Sequence, residues 1–115
     1  MHAKRLNVQL ETMKAIVASN SVKTFYVGVT SRDPYKYWAW YWKNGYKHAV
    51  ILADWLTERD AKYLEEFLQK CVYDADKRTP LWRKAHANHK KGRYYLGAKS
   101  PKPTEKIHAV YVAWW

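Results

Sequence analysis

Glu65 is the carboxylate whose position in the sequence points most clearly to chemistry. Residues 58–72 are predicted to form a helix, and at about 100° per residue its apolar side chains share one face. Glu66 falls on the solvent side of that helix, whereas Glu65 falls beside Val72 at the edge of the apolar face. An unpaired carboxylate at such an edge would be costly, so Glu65 needs a partner. An ordinary salt bridge at the rim of the core is the simplest form of that partner.

Cysteine and histidine limit the other chemistry that the chain can support. The single cysteine, Cys71, excludes an intramolecular disulfide and a zinc site built from cysteines, so a metal ion would need carboxylate or histidine ligands. His86 and His89 stand three residues apart, but the lysines around them disfavour a dication. One free cysteine fits a reducing compartment, and the chain shows neither a signal-peptide core nor a membrane-spanning run. These features predict an intracellular protein.

Basic residues dominate the chain and concentrate in one segment. The 115 residues include 21 lysines and arginines and 10 acidic residues, which gives a net charge of +11. Residues 77–106 hold 10 of the basic residues and one acidic residue, Glu105. This balance favours a polyanionic partner, and nucleic acid, DNA more than RNA, is the first candidate. The side chains expected to bind it are an exposed ring for stacking on bases, Trp40, and the cations Arg78, Arg83, Lys84, Lys90, Lys91 and Arg93.

The apolar pattern predicts one α+β domain over residues 1–115, with a small antiparallel sheet flanked by helices. Residues 14–18 and 23–29 are predicted to pair as a β-hairpin, with Phe25 and Val27 on one face of its second strand. The other predicted elements are a helix within residues 35–43, a strand at 48–53, a helix at 58–72 with a cap at Thr57, a strand at 107–113 and a weak strand at 6–10. Residues 77–106 are predicted to be rich in loops.

The order of these elements resembles that of the GIY-YIG nuclease family. The closest match is FYVGVTS at residues 25–31, in which YVG stands where the family has Tyr-Ile-Gly. AIV at residues 15–17 stands where the family has Gly-Ile-Tyr, and the run AxxLE ending at Glu65 matches the segment around the family's metal-binding glutamate. The resemblance covers residues 14–72 and implies a GIY-YIG-like core whose sheet includes the hairpin.

The resemblance also implies an activity, which is hydrolysis of phosphodiester bonds in DNA by an endonuclease that uses a divalent cation, Mg²⁺ or Mn²⁺. Glu65 would hold the cation, and Tyr26 would act as general base for the attacking water. Lys36 with Arg32 would bind the scissile phosphate.

Departures from the family pattern keep a second function open. Val17 replaces the tyrosine of the first motif, and Lys36 stands where the family usually has an arginine. Lys77 stands near the point, about a dozen residues after Glu65, where the family usually has an asparagine. The alternative is a nucleic-acid-binding module that has kept the fold and lost catalysis. A third possibility is an interaction protein whose aromatic surface meets another protein.

Overall fold

The computed structural model describes residues 3–30, 47–86, 90 and 108–115. Its helices are α1 (Ala3–Ala18), α2 (Glu58–Tyr73) and the single turn α3 (Pro80–Arg83), and its strands are β1 (Phe25–Thr30), β2 (His48–Leu56) and β3 (His108–Trp114). These elements form a small α+β fold, as predicted. The helix predicted within residues 35–43 lies outside the described residues. None of the helices in the described part of the chain has the length and apolar character needed to cross a bilayer.

The three strands form one antiparallel sheet in the order β1-β3-β2. β3 is the central strand, and its residues from His108 to Ala113 are all buried. A strand that is covered on both faces has a nearly continuous apolar sequence, which explains the run AVYVA. The strands predicted at residues 23–29, 48–53 and 107–113 are confirmed, with boundaries that move by at most three residues.

The predicted hairpin is wrong in its first strand, because residues 14–18 form the end of α1. Leu6, Met13 and Val17 recur at helical spacing and are all buried in the core. This apolar stripe favours the helix over the local strand propensity of KAIVA. The weak strand predicted at residues 6–10 lies in the same helix and is wrong for the same reason. β1 pairs with β3 instead.

The two faces of the sheet have different neighbours. The inner face, which bears Phe25, Val27 and Val112, packs in one buried cluster with residues of α1 and α2. The outer face bears Tyr26 and Tyr111, which belong to a second and smaller cluster. The alternation predicted for β1 is therefore confirmed.

Helix α2 begins at the predicted cap but is turned about its axis relative to the predicted face. Thr57 Oγ1 accepts a hydrogen bond from the Asp60 N–H at 3.1 Å. The buried side chains of α2 are Ala61, Leu64, Glu65, Leu68, Gln69 and Val72. Two polar side chains thus point into the protein, whereas Cys71 is half-exposed.

Strand β2 ends in an irregular segment that leads into α2. Its register with β3 shifts between Ile51 and Ala53 and again between Ala53 and Leu56. Trp55 adopts a φ of 57°, a left-handed conformation that is unfavourable for a residue with a Cβ atom. The Trp55 N–H donates to Asp54 Oδ1 at 2.8 Å, which stabilises this turn of the chain.

Candidate functional site

The outer edge of β1 is closed by side chains and by a loop. Gln69 Nε2 donates to the Val27 carbonyl at 3.2 Å, and the Glu65 carboxyl group accepts a hydrogen bond from the Val29 backbone. Further along the strand, the His86 N–H donates to the Phe25 carbonyl at 2.9 Å. Edge strands expose unpaired backbone groups, and burying those groups without partners is costly. Glu65 and Gln69, one helical turn apart on α2, satisfy the edge of β1 where α2 covers it.

Burial changes the protonation of Glu65. The residue is 1% exposed, and this burial, together with the nearby Glu66 carboxylate, raises the pKa of Glu65 to about 8. The hydrogen bond from Val29 and the charge of Lys62 lower it by less. Glu65 is therefore mostly a neutral carboxylic acid at neutral pH. The partner that the sequence required is a backbone N–H group rather than a cation.

The surroundings of Glu65 do not fit Mg²⁺ or Mn²⁺. These cations need several oxygen ligands, including ionised carboxylates. Glu65 Oε2 is buried and has no hydrogen-bond partner among the described residues, so one oxygen is available in a position closed to solvent. Within the same part of the chain, no three histidine, cysteine, aspartate or glutamate side chains come close enough to hold a metal ion.

The outer face of the sheet carries a second group of titratable side chains. Gly28 lies opposite Tyr111, and a Cβ atom at position 28 would come within 2.5 Å of the Tyr111 hydroxyl oxygen. Glycine is thus required for the phenol to lie across β1. The ring of Tyr26 meets His86 edge to face at 5.4 Å. Burial lowers the pKa of His86, which makes its imidazole neutral at neutral pH.

Tyr26 and Glu65, the predicted base and metal ligand, have different surroundings. Tyr26 follows the alternation of β1 onto the outer face, where it packs beside Tyr111. Glu65 belongs to the buried side of α2, which covers the inner face and the edge of β1. Glu65 therefore lies at the edge of β1, whereas Tyr26 lies on the outer face. Their predicted roles in one catalytic step are not supported by a shared pocket in the described residues.

Three of the predicted nucleic-acid contacts bind within the protein. Lys84 Nζ donates to the carbonyls of Val17 and Ser19, each at 2.9 Å, and so caps the C-terminal end of α1. Lys90 Nζ donates to the Arg83 carbonyl at 2.8 Å. Arg78 binds Asp76 through two nitrogens, and this pairing lowers the pKa of the Asp76 carboxyl. Arg83 is exposed.

A different set of cations lies at one end of the sheet, where β1 and β2 begin and β3 ends. We call this the basic end and define it by Lys23, Lys47, His48, Trp114 and Trp115. The Lys23 N–H donates to the Trp115 carbonyl at 2.9 Å, and the Lys47 N–H donates to the Trp114 carbonyl at 3.1 Å. These consecutive carbonyls place the two lysines on either side of β3. Lys23, Lys47 and His48 are exposed, and the two tryptophans are half-buried.

Five of the predicted site residues lie outside the described part of the chain: Arg32, Lys36, Trp40, Lys91 and Arg93. Two residues of the site, Gln69 and Tyr111, were not predicted, although their positions in the sequence are distinctive. Gln69 stands one turn after Glu65 on α2, and Tyr111 stands among small and branched residues in the last strand. Their contacts depend on which strands pair, and the predicted hairpin obscured that pairing.

The chain was compared with protein families, curated proteins and solved structures. No family model, curated protein or solved structure matches the chain. The described elements define a small α+β protein with a three-stranded antiparallel sheet, helices on its inner face and exposed cations at one end. Function therefore has to be inferred from the chemistry of the described residues.

Proposed function

We propose that the chain is a module that binds nucleic acid through the basic end of the sheet. The observation that carries this proposal is the grouping of Lys23, Lys47 and His48, all exposed, around Trp114 and Trp115. Lysine ammonium groups bind phosphate oxygens, and aromatic rings beside them offer surfaces for bases. The group contains cations and rings and no acidic side chain.

The charge of the whole chain supports the same partner. A net charge of +11 attracts a polyanion at long range and speeds its association. Because Glu65 is mostly protonated at neutral pH, the folded protein is more positive than a simple count of residues indicates. DNA is the preferred partner in this proposal, as the resemblance to DNA nucleases implies. A nucleic-acid partner and the single cysteine both support the proposal that the protein acts inside the cell.

Binding of a fluorescently labelled oligonucleotide, followed by anisotropy at several salt concentrations, tests the proposal. Single-stranded DNA, duplex DNA and RNA of equal length are compared. Affinity should fall steeply with salt, with a log-log slope of about −0.7 to −0.9 for each phosphate contact. A protein that binds none of the three at low salt, or binds them independently of salt, would contradict the proposal.

Phosphodiester hydrolysis is the second candidate function, and one observation favours it. In the family that the sequence resembles, a tyrosine-bearing strand pairs with the strand that carries Tyr-Ile-Gly. Here β3 pairs antiparallel with the strand that carries Tyr26, and Tyr111 of β3 lies opposite Gly28. Tyr111 is therefore the candidate counterpart of the tyrosine that is missing at Val17.

The outer face supplies part of the chemistry that hydrolysis needs. The phenols of Tyr26 and Tyr111 lie on the same face, and the neutral imidazole of His86 can accept a proton from water or from a phenol. A phenol alone is a poor base at neutral pH, because its usual pKa is about 10. Glu65 does not fit a metal ligand as it is placed, so no step is assigned to a metal ion.

A cleavage assay on DNA and RNA with and without Mg²⁺ or Mn²⁺ separates the two candidates. If the outer face is catalytic, Tyr111→Phe should slow cleavage by at least tenfold while binding is retained. If Glu65 holds a cation during the reaction, Glu65→Gln should abolish cleavage and Glu66→Gln should not. A protein that binds and never cuts is the module without catalysis.

A further inference from the structure

His48 and Trp114 form a stacked pair of rings at the basic end. The two residues lie directly opposite each other on β2 and β3. Their ring centroids are 5.5 Å apart and the ring planes differ by 26°, which is a stacked arrangement. Trp114 packs against the main core, whereas His48 is exposed. One ring is thus held in place by the core and supports a second ring that faces solvent.

We propose that His48, supported by Trp114, is a stacking platform for an unpaired base, so that the basic end prefers single-stranded to duplex nucleic acid. This inference rests on the proposed function and names its substrate class. The exposed His48 ring can extend the stack by one more ring, and a nucleobase has the required flat face. Lys47, the residue immediately before β2, is exposed and can bind the adjoining phosphate.

The geometry explains why base pairing matters. In a duplex each base is already stacked between its neighbours, so a side chain at the surface of the duplex cannot stack on it. A single strand presents base faces at little cost, and stacking on one aromatic ring strengthens binding by roughly 5- to 100-fold per base. Because the stack with Trp114 orients His48 before binding, less side-chain freedom is lost when the base docks.

The test compares the affinity of His48→Ala and His48→Phe for a single-stranded and a duplex oligonucleotide of equal length. His48→Ala should weaken single-strand binding by roughly 5- to 100-fold and leave duplex binding within about twofold. His48→Phe keeps an aromatic ring on Trp114 and should bind the single strand nearly as well as the parent. The salt dependence of binding should not change in either variant, because neither removes a lysine.

Tyr63→Ala is the matched control, since Tyr63 is an exposed aromatic residue on α2, at 53% exposure, and is not part of the basic end. It should leave both affinities unchanged. Equal losses for single strand and duplex in His48→Ala, or no loss at all, would overturn the platform while leaving the proposed function intact. A parent protein that binds neither oligonucleotide would overturn the proposed function and the platform with it. Thermal unfolding of each variant verifies that the fold is retained.

Discussion

Polar side chains have opposite roles at two borders of the sheet, the outer edge of β1 and the basic end. Along the outer edge of β1, Glu65 and Gln69 are buried and hydrogen-bond to backbone groups of the strand. At the basic end, Lys23 and Lys47 are exposed, and their backbones rather than their side chains fasten the strands together. The first border uses polar side chains to complete the fold. The second leaves its charged side chains available to a partner.

The comparison shows that an unusual residue is not automatically a functional one. Glu65 draws attention because it is a carboxylate at a buried position, yet its neighbours account for that position through the needs of an edge strand. Lysines at a strand end are unremarkable in the sequence, yet the fold gathers them beside two tryptophans. A residue with a perturbed pKa is a candidate for function only when the structural needs of the fold do not already explain the perturbation.

The largest effect is expected from pH, through Glu65. Its pKa is about 8 in the folded protein and near 4.5 when unfolded, so the unfolded state loses the proton first as pH rises. The free energy of unfolding should therefore fall by up to about 1.4 kcal/mol for each pH unit between these two values. Glu65→Gln removes this loss and should be the more stable protein at pH 8, with little difference near pH 4.5. Denaturant unfolding at a series of pH values measures both proteins.

Glu66→Gln is the control for this comparison, because its side chain is exposed on the same helix and should change the pH dependence little. Repeating the unfolding measurements with Mg²⁺ tests whether Glu65 is a metal ligand. If Glu65 were a metal ligand, Mg²⁺ would stabilise the parent protein at pH 8 and would not stabilise Glu65→Gln. We expect no such difference between the two proteins.

Gln69→Leu tests the same edge without a titratable group. The substitution leaves the Val27 carbonyl buried without the Gln69 side chain, and we expect a loss of roughly 1 to 3 kcal/mol in the free energy of unfolding. The loss should be independent of pH, in contrast to the effect of Glu65. Unchanged stability in chemical denaturation would mean that the edge of β1 does not depend on α2.

A smaller effect on stability is expected at Lys84. Its side chain hydrogen-bonds to backbone groups, as the polar side chains at the edge of β1 do, and is not left available as at the basic end. Lys84→Met keeps the side-chain stem and removes the hydrogen bonds to Val17 and Ser19, which should cost about 1 kcal/mol. Arg83→Met, at an exposed neighbour, should change stability by much less. The salt dependence of nucleic-acid binding should be unchanged in Lys84→Met, and a flatter dependence would assign Lys84 to the binding surface.

The sequence predicted those parts of the fold that depend on local chemistry. The cap at Thr57 follows from side chains three residues apart and is confirmed, whereas the buried face of α2 is turned toward Glu65 and Gln69 relative to the predicted apolar face. The strand predicted at residues 14–18 is wrong because its four small or branched residues, at positions 15–18, belong to a longer helical pattern of apolar residues. Local propensity is weak evidence when a longer period competes with it.

The site depended on tertiary pairing, which no local pattern specifies. The helical periodicity predicted that Glu65 lies at the edge of the buried face of α2. Its partner, however, is the backbone of β1, which is an edge strand because the strand order is β1-β3-β2. The same order brings Tyr111 to Gly28 and the C-terminal tryptophans between Lys23 and Lys47. Strand order arises from contacts between segments far apart in the chain, so these groupings could be found only in the folded protein.

The central claim, that the basic end binds nucleic acid, is tested most directly by two double variants of equal charge. Lys23→Ala with Lys47→Ala removes two cations from the basic end, and Arg59→Ala with Lys62→Ala removes two from α2, beyond the other end of β2. The log-log slope of affinity against salt should become shallower by about 1.4 to 1.8 in the first variant and stay nearly unchanged in the second. Equal changes in both variants, or a change confined to the α2 variant, would contradict the claim.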